Sequence, residues 1–184
     1  MEAELTPLEG VIIIKPDIYK DDRGFFTETY SKDKYYSLGI REEFVQDNYS
    51  RSKKNTLRGL HYQINKPQGK LVRVINGRVL DVAVDVRQDS KTFGQYFSVF
   101  LDDVNFYQLY MPPGIAHGFC VLSEKAILHY NTSKVYDPDN EGGLIWNDKK
   151  VNIKWPIKNP IISKKDRNFK SFDNIVNLKV LPRL

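Results

Sequence analysis

The chain is 184 residues long, carries 28 Lys and Arg against 23 Asp and Glu for a formal net charge of +5, and has one cysteine. That length suits a single domain, residues 1–184, with a sizeable core. One thiol cannot close an internal disulfide, a usage that fits a reducing, cytoplasmic setting. The opening residues, MEAELTPLEG, lack the basic and apolar regions of a secretory leader, and runs such as Val11–Ile14 are too short to span a bilayer. The basic residues are dispersed, with no helix-turn-helix, zinc-finger or RNP pattern, so nucleic acid is not the expected partner. A few arginines and lysines would instead suit a small phosphorylated ligand.

In chain order, Gly10–Lys15 reads as a strand, Asp21–Gly24 as a turn, and Phe25–Tyr30 as a strand in period-two alternation. Lys32–Ile40 is the one convincing internal helix. Phe44–Tyr49 and Leu57–Gln63 read as strands. Lys70–Ile75 and Val79–Arg87 flank Asn76-Gly77, a pair typical of hairpin turns. Tyr96–Leu101, Phe106–Met111, His117–Leu122 and Ile127–Ser133 continue the series. Many short strands with little helix predict an all-β antiparallel sandwich or barrel. Beyond Asn140 the signals thin, and the chain is expected to wrap the barrel and end in a short helix. Within Val79–Arg87, Asp81, Ala83 and Asp85 share one face and Val82, Val84 and Val86 the other. Taken alone, the acidic face reads more simply as solvent-facing than as the lining of a polar lumen.

Pro112-Pro113-Gly114-Ile115-Ala116-His117 carries the spacing P-x-G-x-x-H, a tight turn followed by a histidine where a strand restarts. It resembles the second motif of the cupin β-barrels. Metal-binding cupins supply two further histidines as HxH; here the matching residues are His61-Tyr62-Gln63. With only His61, His117 and His129 in the chain, no metal site is expected. His61 then reads either as a hydrogen-bonded structural histidine or as a general base, for which an imidazole titrating near neutrality is suited.

The segments DDRGFFTETY, FVQDNYS, LRGLHYQ, QGKLVRVINGRVLDVAVDVR, PPGIAHGF, EGGLIWND and ISKKDRN, in that order between Gly10 and Phe169, resemble the dTDP-4-dehydrorhamnose 3,5-epimerase family of RmlC-like cupins. The resemblance implies a jelly-roll barrel with short peripheral helices. It also implies a homodimer and epimerisation of a nucleotide-diphosphate 4-keto-6-deoxy sugar without a cofactor, in lipopolysaccharide or capsule biosynthesis. The ketone at C4 acidifies the C–H bonds at C3 and C5; a base removes a proton, an enolate forms, and protonation from the opposite face inverts the centre. By the same resemblance His61 is the base, Asp166 its carboxylate partner, Tyr130 the acid, and Lys70 the cation beside the enolate oxygen. His117 and Tyr136 would meet the substrate. Arg23, Phe26, Glu28, Gln46, Asp47 and Asn48 would surround the nucleotide; Arg58 would meet the diphosphate; Glu141 and Lys165 complete the set.

An ideal strand turns Arg58 and His61 to opposite faces. Either Gly59 introduces a bulge, or Arg58 serves a site shared with another subunit. Tyr62, Pro113 and Asn131 depart from the family's usual residues, and relatives act on other nucleotide sugars. A GDP-heptose epimerase inverting C3, C5 or both, and a keto-sugar isomerase of the same fold, are therefore the alternative readings.

Overall fold

The computed structural model describes residues 1–184. Thirteen strands form two large antiparallel sheets and one small hairpin. In chain order they are β1 (Glu2–Leu5), β2 (Ile12–Lys15), β3 (Tyr19–Asp21), β4 (Gly24–Phe26), β5 (Gln46–Lys53), β6 (Leu57–Gln63) and β7 (Lys70–Asn76). There follow β8 (Arg78–Asp85), β9 (Tyr96–Asp102), β10 (Gln108–Met111), β11 (Ile115–Val121), β12 (Lys125–Thr132) and β13 (Glu141–Gly143). One sheet runs β1-β2-β10-β7-β12-β5, the other β13-β6-β11-β8-β9. The short helices are α1 (Lys32–Ser37), α2 (Lys164–Arg167) and α3 (Phe172–Asn177).

Three apolar layers follow from strand alternation. Between the sheets lie Ile13, Val72, Val74, Val79, Leu109, Ile115, Phe119 and Leu128. Outside the five-stranded sheet, Leu80, Val82, Val84 and Ala116 meet Phe172, Ile175 and Leu181 of the wrapped C-terminal segment. Outside the other sheet, Ile12, Ile14, Leu71 and Tyr110 meet Tyr35 and Ile40 around α1. Because the C-terminal wrap covers the second face of the five-stranded sheet, β11 is buried along its whole length. Such two-sided cover favours continuous apolar runs over strict alternation. No helix is long and apolar enough to cross a membrane.

Several expectations are corrected here. Asn76-Gly77 does turn the chain, but not into a hairpin: β7 pairs with β10 and β12, whereas β8 pairs with β11 and β9. The turn is a corner that carries the chain from one sheet to the other. Gly77 has φ 87°, and a Cβ there would stand 2.2 Å from the Lys125 carbonyl oxygen. Asp103 caps the corner, accepting from Gly77 N at 2.8 Å and from the Asn76 amide at 3.1 Å. The acidic face of β8 is not solvent-facing: Asp81 and Asp85 are both fully buried. The helix expected to Ile40 closes at Ser37, because Gly39 takes φ 91° just beyond the C-cap Leu38. The strand expected over Phe25–Tyr30 covers only β4, paired with β3 in a small hairpin.

Candidate active site

The site begins at a one-residue irregularity in β6. His61 pairs with His117, and Arg58 with Phe119, so three steps along β6 match two along β11. The extra residue falls at Gly59, whose φ is 113° and whose absent Cβ would lie 2.5 Å from Gly118 Cα. One extra residue reverses the alternation, so Arg58 and His61 face the same side. The bulge resolves the conflict between them within one chain: both line a cavity of about 140 Å³ with Lys70, His117 and Tyr130.

The bulge also frees a backbone donor. Gly59 N donates to Asp166 Oδ2 at 3.1 Å, while Asp166 Oδ1 stands 3.0 Å from His61 Nε2. Asp166 reaches this point through α2. Ser163 is the helix N-cap, its hydroxyl accepting from Asp166 N at 3.0 Å, in the Ser-x-x-acid pattern of a capping box. The acidic side chain leaves the helix end for the strand instead of closing the box. Only 3% of Asp166 is exposed. Burial alone would raise its carboxyl, but the bonds to His61, Gly59 and Ser163 outweigh it and hold the group below the usual carboxylate range. An ionised Asp166 can only accept, so Nε2 carries the proton and Nδ1 keeps the lone pair. The Phe169 ring packs edge-on against the imidazole, centroids 5.5 Å apart.

On the Nδ1 side, Glu141 of β13 lies 4.0 Å from His61. Its carboxylate also accepts from Lys165 Nζ at 2.6 Å and from the Tyr136 hydroxyl at 2.9 Å. Burial pushes Glu141 up, but Lys165, His61 and Tyr136 together hold it below its ordinary value. Tyr136 is pushed up to about 12 by burial and by the Glu141 charge.

The opposite wall comes from the six-stranded sheet. Lys70 on β7 spans the interior and donates to the His61 carbonyl oxygen at 3.2 Å. Burial draws its ammonium down to about 8, against the supporting charges of Glu141 and Asp81. Tyr130 on β12 faces inward, its phenol raised chiefly by burial. A second cavity of about 280 Å³ joins these groups to Gln46, Asn48, Tyr136, Glu141 and Lys165. A shallower groove of about 590 Å³ passes the other side of His61, lined by Arg51, Lys53, Arg58 and Lys165 among others. Arg58 Nε donates to Ser52 Oγ at 3.0 Å, which fixes the guanidinium between groove and cavity.

Not every residue named from the sequence meets this site. Asp47 alternates outward from Gln46 and Asn48, and its carboxylate accepts from Asn131 on the outer face. His129 is also on that face, 3.9 Å from Asp47. Arg23, Phe26 and Glu28 sit on or just after the β3–β4 hairpin. Arg23 has 90% of its side chain exposed and pairs only with Asp21, and Glu28 pairs with Lys34. Conversely, sequence reading passed over Ser163, Gly59 as the source of a donor, and Asp81, whose two oxygens each lie 3.0 Å from His117 Nε2. The capping pattern before Asp166 was a usable signal; nothing local marked Asp81 as the partner of His117.

A jelly-roll barrel of the cupin type, with an acid–base cavity between its sheets, is the class that this fold and site define. The family model described as dTDP-4-dehydrorhamnose 3,5-epimerase matches residues 5–174. Similar proteins include the dTDP-4-dehydrorhamnose 3,5-epimerases of Shigella flexneri, 47% identical over 94% of this chain and 96% of that one, and of Methanothermobacter thermautotrophicus, 46% identical over 90% and 91%. Among solved structures, dTDP-6-deoxy-D-glucose-3,5-epimerase RmlC of Legionella pneumophila in complex with dTDP-4-keto-L-rhamnose superposes with a TM-score of 0.94. It is 44% identical and covers 100% of this chain and 98% of that one. The chain belongs to the dTDP-4-dehydrorhamnose 3,5-epimerase family.

Proposed function

We propose that this protein is a 3,5-epimerase of a dTDP-linked 4-keto-6-deoxy sugar, working by acid–base chemistry alone. The observation that carries the reading is the opposition of His61 and Tyr130. The imidazole sits on β6 of one sheet, the phenol on β12 of the other, and the same cavity separates them. A ring held between them exposes opposite faces to base and acid, which inversion requires.

In this mechanism Nδ1 of His61 takes the proton from carbon beside the ketone. The C–H electrons form a C=C bond, and the carbonyl oxygen becomes an enolate. Asp166 stabilises the imidazolium, as a carboxylate does behind a catalytic histidine. Lys70 meets the new negative charge, an interaction stronger in the transition state than with the neutral ketone. Tyr130 delivers its proton to the far face of the same carbon, and the phenolate and imidazolium then re-equilibrate with water. Repetition at the second carbon completes the reaction. Arg58 and Lys165 lie where a diphosphate would leave the cavity, and a guanidinium suits such a group.

The partner we assign beyond the substrate is a second copy of the chain. Arg23, Phe26 and Glu28 resemble nucleotide-binding residues yet lie off this cavity, on a hairpin whose Phe26 is 68% exposed. In a homodimer the hairpin of one protomer would close the nucleotide end of the other's site. The buried, unpaired Cys120 suits a reducing cytoplasm.

The test is incubation with dTDP-4-dehydro-6-deoxyglucose in heavy water, followed by NMR. Deuterium at both C3 and C5 with inversion of both is expected. Exchange at one centre only would narrow the protein to a mono-epimerase, and no exchange would refute the assignment.

A further inference from the structure

Behind the second histidine of the cavity stands a carboxylate with no exposed surface. Asp81 on β8 is 0% exposed, and both oxygens approach one atom, His117 Nε2, at 3.0 Å. No other hydrogen bond reaches it. Its neighbours on the same face of β8, Val79 and Ala83, are packed apolar residues. Burying a carboxylate among them costs several kcal/mol unless a donor or positive charge compensates it, and a core that needed only volume there would be better served by valine. The compensation comes from two groups of the cavity. His117 supplies the hydrogen bond, and the Asp81 charge supports the buried ammonium of Lys70. The other ring nitrogen of His117 makes no hydrogen bond to the protein, while the ring lines the smaller cavity beside Arg58, Lys70 and Tyr130.

Resting on the epimerase assignment above, we propose that Asp81 is a positioning residue for catalysis. It accepts Nε2–H of His117, holds the ring against the cavity, and balances the charge of an imidazolium whose Nδ1–H donates, with Lys70, to the C4 oxygen as the enolate forms. The site thus contains two carboxylate–histidine pairs on adjacent strands with opposite tasks. Asp166 leaves Nδ1 of His61 free to take a proton, and Asp81 equips His117 to donate a hydrogen bond. No bond to His117 is made or broken in this role; it stabilises charge that Lys70 alone would otherwise meet.

The test combines variants with a measurement on the unaltered protein. Asp81→Asn should lower kcat by about 100-fold, the scale of losing one oxyanion donor, with KM little changed. In a His117→Ala background the same change should cost about tenfold or less, the part of its effect that passes through the Lys70 ammonium and not through His117. Retention of full kcat by Asp81→Asn, or losses that multiply in the double variant, would overturn the proposal. Nitrogen-15 NMR of the wild-type imidazoles, with dTDP bound, needs no variant to fold: it should find protons on both ring nitrogens of His117, and a neutral ring protonated at only one of them would overturn the proposal directly. An inactive wild type with the expected His117 signal would instead count against the epimerase assignment alone.

Discussion

Asp166 meets His61 across 105 residues of chain, Oδ1 to Nε2 at 3.0 Å, and the same carboxylate accepts the backbone N–H that the β6 bulge leaves free. Replacing it by Asn keeps the volume but removes the charge, and the amide can donate to Nε2 and impose the wrong tautomer. Loss of kcat by about 10²–10⁴-fold is expected for Asp166→Asn, and at least as much for His61→Ala, measured as deuterium uptake from heavy water. The sign of the pH effect on stability also follows. Asp166 is held below its unfolded value, so its contribution is present above about pH 4 and is lost as pH falls through the lowered folded value. Wild type and Asp166→Asn should differ in Tm at neutral pH and converge in acid.

Lys70 sets the alkaline side. Its ammonium is drawn down to about 8, and in the proposed mechanism only the charged form stabilises the enolate. Activity as kcat/KM in the free enzyme should therefore fall as pH rises through about 8. Lys70→Met should remove that limb along with about 10²–10³-fold of kcat. Stability moves the other way: folded Lys70 binds its proton more weakly than the unfolded chain does, so ΔG of unfolding gains between about 8 and the ordinary lysine value.

Gly59 links packing to chemistry. A methyl there would stand 2.5 Å from Gly118 Cα and 2.6 Å from the His117 carbonyl oxygen, at φ 113°. Gly59→Ala should destabilise by about 2–4 kcal/mol, read from urea unfolding. It should also cost activity under conditions where the protein remains folded, because the bulge orients His61, Arg58 and the donor to Asp166.

The barrel was legible in the sequence because its strands are short, its turns are marked by Gly and Pro, and its interior positions alternate. The pairing was not. Asn76-Gly77 looks like a hairpin turn, yet the tight approach of Lys125 to Gly77 and the cap from Asp103 make it a corner between sheets, and both are contacts from distant parts of the chain. The acidic face of β8 was misread for the same reason: the C-terminal wrap that buries its valines lies about 90 residues downstream. At the site, His61, Lys70, Tyr130 and Asp166 were identified through a family resemblance, and the structure brings all four to one cavity or its wall. Asp81 escaped because its partner, His117, lies three strands further along the chain, on β11.

A shared site makes a prediction that a monomeric one does not. If the hairpin of one protomer serves the other, Arg23→Glu and His61→Ala proteins, each nearly inactive, should complement on mixing and exchange. Mixed dimers would hold one intact site, for about a quarter of wild-type activity overall. Light scattering before mixing checks that both are dimers; no recovery from well-mixed dimers would place Arg23 in its own protomer's site or outside catalysis.

The most direct measurement is the fate of substrate with Tyr130→Phe in heavy water, with exchange and inversion followed separately by NMR. With His61 as the proposed base and Tyr130 as the proposed acid on opposed sheets, the phenylalanine protein should still wash deuterium into the position His61 reaches while forming inverted product about 10²-fold or more slowly. Inversion at the wild-type rate, or loss of exchange and inversion in equal measure, would contradict the assignment of the two faces.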